Sequence, residues 1–260
     1  MNRRIAGPLA FYEFETLRDA SLTHGVFTRL GGVSEGYYAS LNLSRSTGDT
    51  AEAVQANRDR MNAVFGLKYE DTLTSWLVHG NGVRVVNWDN RHQNDVHADA
   101  MVTDTPGLAL TLRFADCVPV LFHDPVKRVI GIAHAGWRGY TCGVLAATVT
   151  TMQQAFGCRA QDVLACIGPS IGPTAFEVGE DVAAQIQACV RASVVEREGD
   201  NPEQNPRVNL WRAAESQLHD AGVQQVEVAA ICTASDTHEW FSHRAERGKT
   251  GRFGAMLMLD

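Results

Sequence analysis

Between Gly107 and Ala133 the chain turns apolar three times in quick succession, and this stretch constrains the fold more than any other. "GLALTLRFADCVPVLFHDP" (107–125) holds two short runs broken around Ala115 to Pro119, and a third run follows at Val129 to Ala133. Runs this short, bounded by Gly, Asp and Pro, read as buried strands rather than helices. Further strands are expected at 82–88, 162–168 and 225–232. Helices are expected at 49–66, with Asp49 or Thr50 as cap and Gly66 as stop, and at 141–152, 180–192 and 210–221. The polar stretch 196–209, rich in Asn and Pro, reads as an exposed loop. Strands and helices mix without strict alternation, which predicts the α+β class: one domain, 1–260, of mixed sheets flanked by helices.

Composition enters where it excludes functions. With 260 residues, 45% hydrophobic and 20% charged, the chain can bury a substantial core without disulfides. A formal charge of −7 argues against a nucleic-acid-binding surface. No apolar run reaches the roughly 18 residues of a membrane span, and the start "MNRRIAGPLAFYEFETL" lacks the apolar core of a secretory signal. A cytoplasmic protein, a monomer or weak homo-oligomer, is the expectation. The six cysteines form no CxxC, so they read as reduced thiols, most of them small buried hydrophobes.

"IGIAHAGWRGY" (130–140) sets His134 at the junction of a buried strand and a helix, where open sheets bind ligands. Asp116-Cys117 falls where another strand-like run stops, ahead of Pro119, and His79 precedes the strand at 82–88. One Cys and two His at element ends are zinc-type donors, and three protein ligands leave a fourth position for water or substrate. Nine His and six Cys allow many such triples, so by spacing alone a core cysteine and two hydrogen-bonded histidines are the simpler reading.

Several motifs occur in order: "FTRLGGVSEGYYASLNL" (27–43), "HG" (79–80), "DAMVTDTPG" (99–107), "ADCVPVLFHDP" (115–125), "AHAGWRG" (133–139), "IGPSIGP" (167–173) and "FSHRAERGKTGR" (241–252). Together they resemble the YfiH family, also called the laccase-domain or multicopper polyphenol oxidoreductase family, over nearly the whole chain. The resemblance implies a single α+β domain and a metal pocket at His79, Cys117 and His134. The family's "QVHG" reads "LVHG" here, with Leu77 in place of the glutamine.

Multicopper oxidases usually hold their metals through His-x-His pairs, and the chain contains none, so copper is the alternative to zinc rather than the first expectation. The resemblance also implies purine nucleoside chemistry, namely phosphorolysis of adenosine, inosine, guanosine and methylthioadenosine, and deamination of adenosine, with nucleosides and phosphate as the small-molecule partners. For these reactions Cys117, His134 and Asp99 are the catalytic candidates, and Asp116 is a second possible proton carrier. Arg29, Ser34, Asn42 and Arg138 are the candidates for holding phosphate and ribose, and Trp137 could stack a base. Arg244 and Arg252 read as salt-bridging residues of the fold. Two other readings remain open: a metal-free cysteine hydrolase editing peptidoglycan precursors, built on Cys117 and His134, and a zinc-binding adaptor.

Overall fold

The runs at 107–125 and 129–133 become three strands because their alternate side chains have two different apolar layers to enter. The structure, a computed structural model, describes residues 1–18, 21–93, 96–197 and 205–260. In chain order it contains β1 (Asn2–Ala6), β2 (Leu9–Glu13), β3 (Leu22–Phe27), α1 (Ala51–Ala63), β4 (Thr72–Thr74), β5 (Val83–Val85), β6 (Ala100–Thr103) and β7 (Ala109–Phe114). There follow β8 (Val118–Asp124), β9 (Val129–Ala135), α2 (Trp137–Cys142), α3 (Val144–Phe156), β10 (Leu164–Ile167) and α4 (Glu180–Ala188). The last elements are β11 (Val195–Glu196), β12 (Arg207–Val208), α5 (Leu210–Asp220), β13 (Gln225–Val228) and β14 (Phe253–Leu259).

Two six-stranded mixed sheets result, ordered β1-β2-β3-β14-β7-β4 and β13-β10-β8-β9-β6-β5. In β9, Ile130 and Ile132 enter the layer between the sheets, where they join Leu110, Leu112 and Phe114 of β7 and Leu257 of β14. Val129, Ala133 and Ala135 enter the opposite layer against Leu145, Val149 and Met152 of α3 and Leu218 of α5. Each such Leu, Ile or Phe contributes about 1.5–3 kcal/mol when fully buried. On the far face of the first sheet, Phe11, Phe27 and Met61 of α1 form a smaller cluster.

The expected α+β class is therefore the observed one. Helix α1 is capped as expected, with the Thr50 hydroxyl accepting from the Ala53 N–H at 3.2 Å. The helix expected at 141–152 is instead two: α2 starts at Trp137, and Gly143, at φ 76°, ends it and starts α3, which runs to Phe156. Strand β13 stops at Val228, short of the expected 232. Residues 198–204 of the expected loop lie outside the described residues, and its described ends pair as β11 and β12. The hairpin β1–β2 and the central strand β14 had no counterpart in the sequence reading. All six cysteines are free, but only Cys158 and Cys166 are fully buried and Cys142 is exposed, which corrects the expectation that most are core residues. Among the described residues no helix is long and apolar enough to cross a membrane.

Candidate metal centre and its cavity

His134 continues the alternation of Ile130 and Ile132, so its ring enters the inter-sheet layer at one end of β9, with its centroid 5.5 Å from that of Phe114. Antiparallel pairing of β9 with β6 brings Asp99, the residue before β6, alongside. The Asp99 Oδ1 lies 3.1 Å from His134 Nδ1. The same carboxylate accepts the backbone N–H groups of Val78 (3.1 Å), His79 (3.0 Å) and Gly80 (2.8 Å). This clamp bends the chain tightly enough to hold His79 at φ 59°, a left-handed conformation unusual outside glycine. Burial raises the Asp99 pKa, but the hydrogen bonds from His134, Gly80 and Val78 outweigh it and hold the group below its ordinary value. An ionised Asp99 places the His134 proton on Nδ1 and leaves Nε2 to accept from, or ligate, whatever faces it.

What faces it is Cys117. The chain turns between β7 and β8 through Asp116, at φ 81°. The Asp116 carboxylate accepts from the Thr233 hydroxyl and the Arg244 N–H, each at 2.7 Å, and so pins two distant segments beside the turn. The donor atoms of His79, Cys117 and His134 all lie within 4.8 Å of one another. Ligands of a tetrahedral zinc stand about 3.3–3.8 Å apart, so small side-chain shifts close the set. Gly136 supplies the clearance: a Cβ there would sit 3.0 Å from His79 Nδ1 and 3.1 Å from Cys117 Sγ. Burial opposes charge on Cys117, but the adjacent His134 and His79 lower the thiol pKa; burial likewise opposes charge on His134, and Cys117 and Asp99 raise it. Donor chemistry and clearance thus both fit a thiolate- and imidazole-binding ion.

The three donors open into a cavity of about 940 Å³. Its lining includes Trp76, Asp116, Trp137, Arg138, Ile171 and Phe176, together with Arg58, Arg113, Arg244 and Arg252. The last four were not assigned to the site from sequence, and no local signal marks them. Arg138 does line the cavity, lying 4.3 Å over the Trp137 ring.

The structure does not bring the other candidates there. Arg29 donates to Ala39 O (2.8 Å), Thr237 O (2.7 Å) and Glu246 Oε1 (2.9 Å), and its guanidinium lies over the Phe241 ring. It ties loops together and is not among the residues that line the cavity, where phosphate was expected to meet it. Ser34 donates to Asp49 at 2.6 Å. Asn42 is fully buried: its amide donates to Ser44 O, Thr47 Oγ1 and Asp49 Oδ2, and its carbonyl accepts from the Ser44 and Arg252 N–H groups. Asp99 is fully buried and is not among the lining residues; its oxygens take four hydrogen bonds, from three backbone N–H groups and His134.

The chain is similar to known proteins over nearly its whole length. The family model for "Multi-copper polyphenol oxidoreductase laccase" matches residues 23–260. A purine nucleoside phosphorylase of Bacteroides thetaiotaomicron is 35% identical over 95% of each chain, and one of Pseudomonas aeruginosa is 38% identical over 90% of this chain and 92% of the other. Among solved structures, YlmD of Geobacillus stearothermophilus aligns with a TM-score of 0.91 at 30% identity, covering 98% and 97% of the two chains. YfiH of Bacillus licheniformis aligns with a TM-score of 0.89 at 31% identity over 99% of each. With a match across nearly its whole length, the chain belongs to the multi-copper polyphenol oxidoreductase laccase family.

Proposed function

We propose that this protein is a zinc-dependent purine nucleoside enzyme, carrying out phosphorolysis of adenosine, inosine, guanosine and methylthioadenosine and hydrolytic deamination of adenosine. The observation that carries the reading is the convergence of His79, Cys117 and His134 at the wall of a cavity of about 940 Å³, near the upper end of the size range for ligand sites. That volume accommodates a nucleoside together with phosphate. The relatives named purine nucleoside phosphorylase support the substrate class. When bound, zinc would lower the pKa of a coordinated water to about 7 and polarise an oxygen brought against it.

The chain's own residues do the rest. Asp99 fixes the His134 tautomer and the His79 turn. Phe176, Ile171 and Trp76 offer apolar faces for a purine. Asp116, with an oxygen bonded to Thr233 and the other to the Arg244 N–H, still has lone pairs free at the cavity wall to take a proton during deamination. In phosphorolysis a phosphate oxygen bonds to ribose C1′ as the bond to the purine nitrogen breaks.

Copper oxidation of phenols is disfavoured because His79, Cys117 and His134 are the one group of three convergent His, Cys or acidic residues among those described, whereas oxygen reduction needs several coppers. The second reading, a metal-free cysteine hydrolase, draws on Cys117 standing beside His134, which together with His79 lowers the thiol pKa against the effect of burial. Metal analysis of purified protein, followed by turnover of inosine and adenosine with and without phosphate, separates these. Roughly one zinc per chain and chelator-sensitive, phosphate-dependent release of purine base are expected. Metal-free protein with full hydrolytic activity would overturn the reading in favour of the hydrolase.

A further inference from the structure

We propose that Arg58, Arg113 and Arg252 form an oxyanion-binding subsite in the cavity wall that holds a phosphate group. They come from α1, from β7 and from the residue before β14, and Arg58 lies close enough to Arg113 to oppose its charge. Arg58 donates through Nε (3.0 Å) and Nη2 (2.9 Å) to the Leu43 carbonyl, and the Leu43 N–H donates to the Arg252 carbonyl at 3.0 Å. Arg113 stands opposite Gly254 in the β7–β14 pairing, two residues from Arg252. All three line the same cavity as the metal-binding donors.

Their partners are all neutral. Arg113 donates to Thr74 Oγ1 (2.5 Å) and Ser75 O (2.9 Å), and Arg252 to Thr250 O (3.1 Å) and Gly251 O (2.8 Å). None of the three makes an ion pair among the described residues, although Arg3, Arg4 and Arg18, out on the surface, each have one. Half-buried guanidinium groups with no ion-paired carboxylate are costly unless a mobile anion completes them, and this holds most strongly for Arg58 and Arg113, since Asp116 and Glu246 lie near enough to Arg252 to favour its charge. Burial and the neighbouring Arg58 push the Arg113 pKa down to about 10, and burial also lowers those of Arg58 and Arg252. A tetrahedral dianion with several acceptor oxygens matches a cluster of guanidinium forks better than a single carboxylate does. The inference rests on the phosphorolysis reading only for the identity of the anion as free phosphate; a phosphate ester offers the same chemistry.

The test is a phosphorus NMR titration of the zinc-loaded protein with inorganic phosphate, and separately with adenosine 5′-monophosphate. Arg58→Gln and Arg252→Gln are expected to weaken phosphate binding at least tenfold, with partial recovery in Arg58→Lys and Arg252→Lys. Zinc content should stay unchanged, and Arg60→Gln, an exposed arginine outside the cavity, should bind phosphate as the parent does. Tighter binding of the nucleotide than of phosphate, lost in the same variants, supports the subsite and identifies the ester as its source. Phosphate binding through these arginines without phosphate-dependent turnover also supports it, while removing the phosphorylase reading. Phosphorolysis with an unaltered phosphate KM in both Gln variants, or no phosphate binding by the parent protein, overturns the subsite.

Discussion

Replacing Asp99 with asparagine separates a catalytic carboxylate from a positioning one. The carboxylate accepts four hydrogen bonds, two at each oxygen: Val78 and Gly80 N–H at Oδ2, and His79 N–H and His134 Nδ1 at Oδ1. Asparagine has only one oxygen, so either orientation of its amide turns an NH2 group toward two donors. Each buried donor stranded in this way costs about 1–3 kcal/mol. Allowing for relaxation of the His79 turn, Asp99→Asn is expected to lower stability by about 2–4 kcal/mol. Losing the carboxylate behind a metal-binding histidine typically weakens metal affinity about 10–100-fold. The assay is a urea midpoint on metal-free protein, paired with zinc affinity measured by competition with a chromogenic chelator. Both quantities should fall together. An inactive variant with parental midpoint and zinc affinity would refute the positioning argument and return Asp99 to proton transfer.

Gly136→Ala adds a methyl about 3 Å from two donor atoms in a backbone conformation that alanine readily adopts, so zinc should be lost while the circular dichroism spectrum stays native. Arg29→Ala should lower the urea midpoint by an amount corresponding to about 2–4 kcal/mol, through the loss of charge-assisted bonds, and leave phosphate KM unchanged; a raised KM without destabilisation would contradict the structural role. His24 is buried and accepts the Phe14 N–H at 2.8 Å, and burial lowers its pKa to about 4. The unfolded chain, with an ordinary histidine pKa near 6.5, therefore binds the extra proton first, so stability falls from about pH 6.5 to 4, by roughly 3 kcal/mol. Denaturant midpoints across that range should flatten in His24→Gln relative to the parent, and parallel profiles would refute the assignment.

The parts of the fold legible in the sequence were those with a local cause. Thr50 caps α1 because its hydroxyl reaches an N–H three residues on, and β8 and β9 show as continuous apolar runs because both faces are covered. The two histidines and Cys117 stand at element ends, at the margin of the inter-sheet layer where the cavity opens. What stayed hidden depends on partners far along the chain. Strand β14 has an ordinary apolar sequence, and only its pairing with β3 and β7 makes it central. Arg29 and Asn42 carry the polar signature of a binding loop, yet their partners at Thr237, Glu246 and Arg252 make them struts. Arg58 and Arg113 look like solvated side chains of a helix and a strand until the lack of a counter-charge becomes visible in three dimensions.

The alternation that sends His134 into the inter-sheet layer makes the candidate metal centre hostage to strand register. A single-residue deletion in the turn between Asp124 and Val129, if absorbed by sliding β9 one step past β8, would carry the imidazole to the opposite layer, against α3. The strands would still pair, and Ala133 or Ala135 would then occupy the position facing Cys117. Length variation in this family is therefore expected to be excluded from the β8–β9 turn, where the same peptide unit specifies both the packing of two sheets and the geometry of the ligand set.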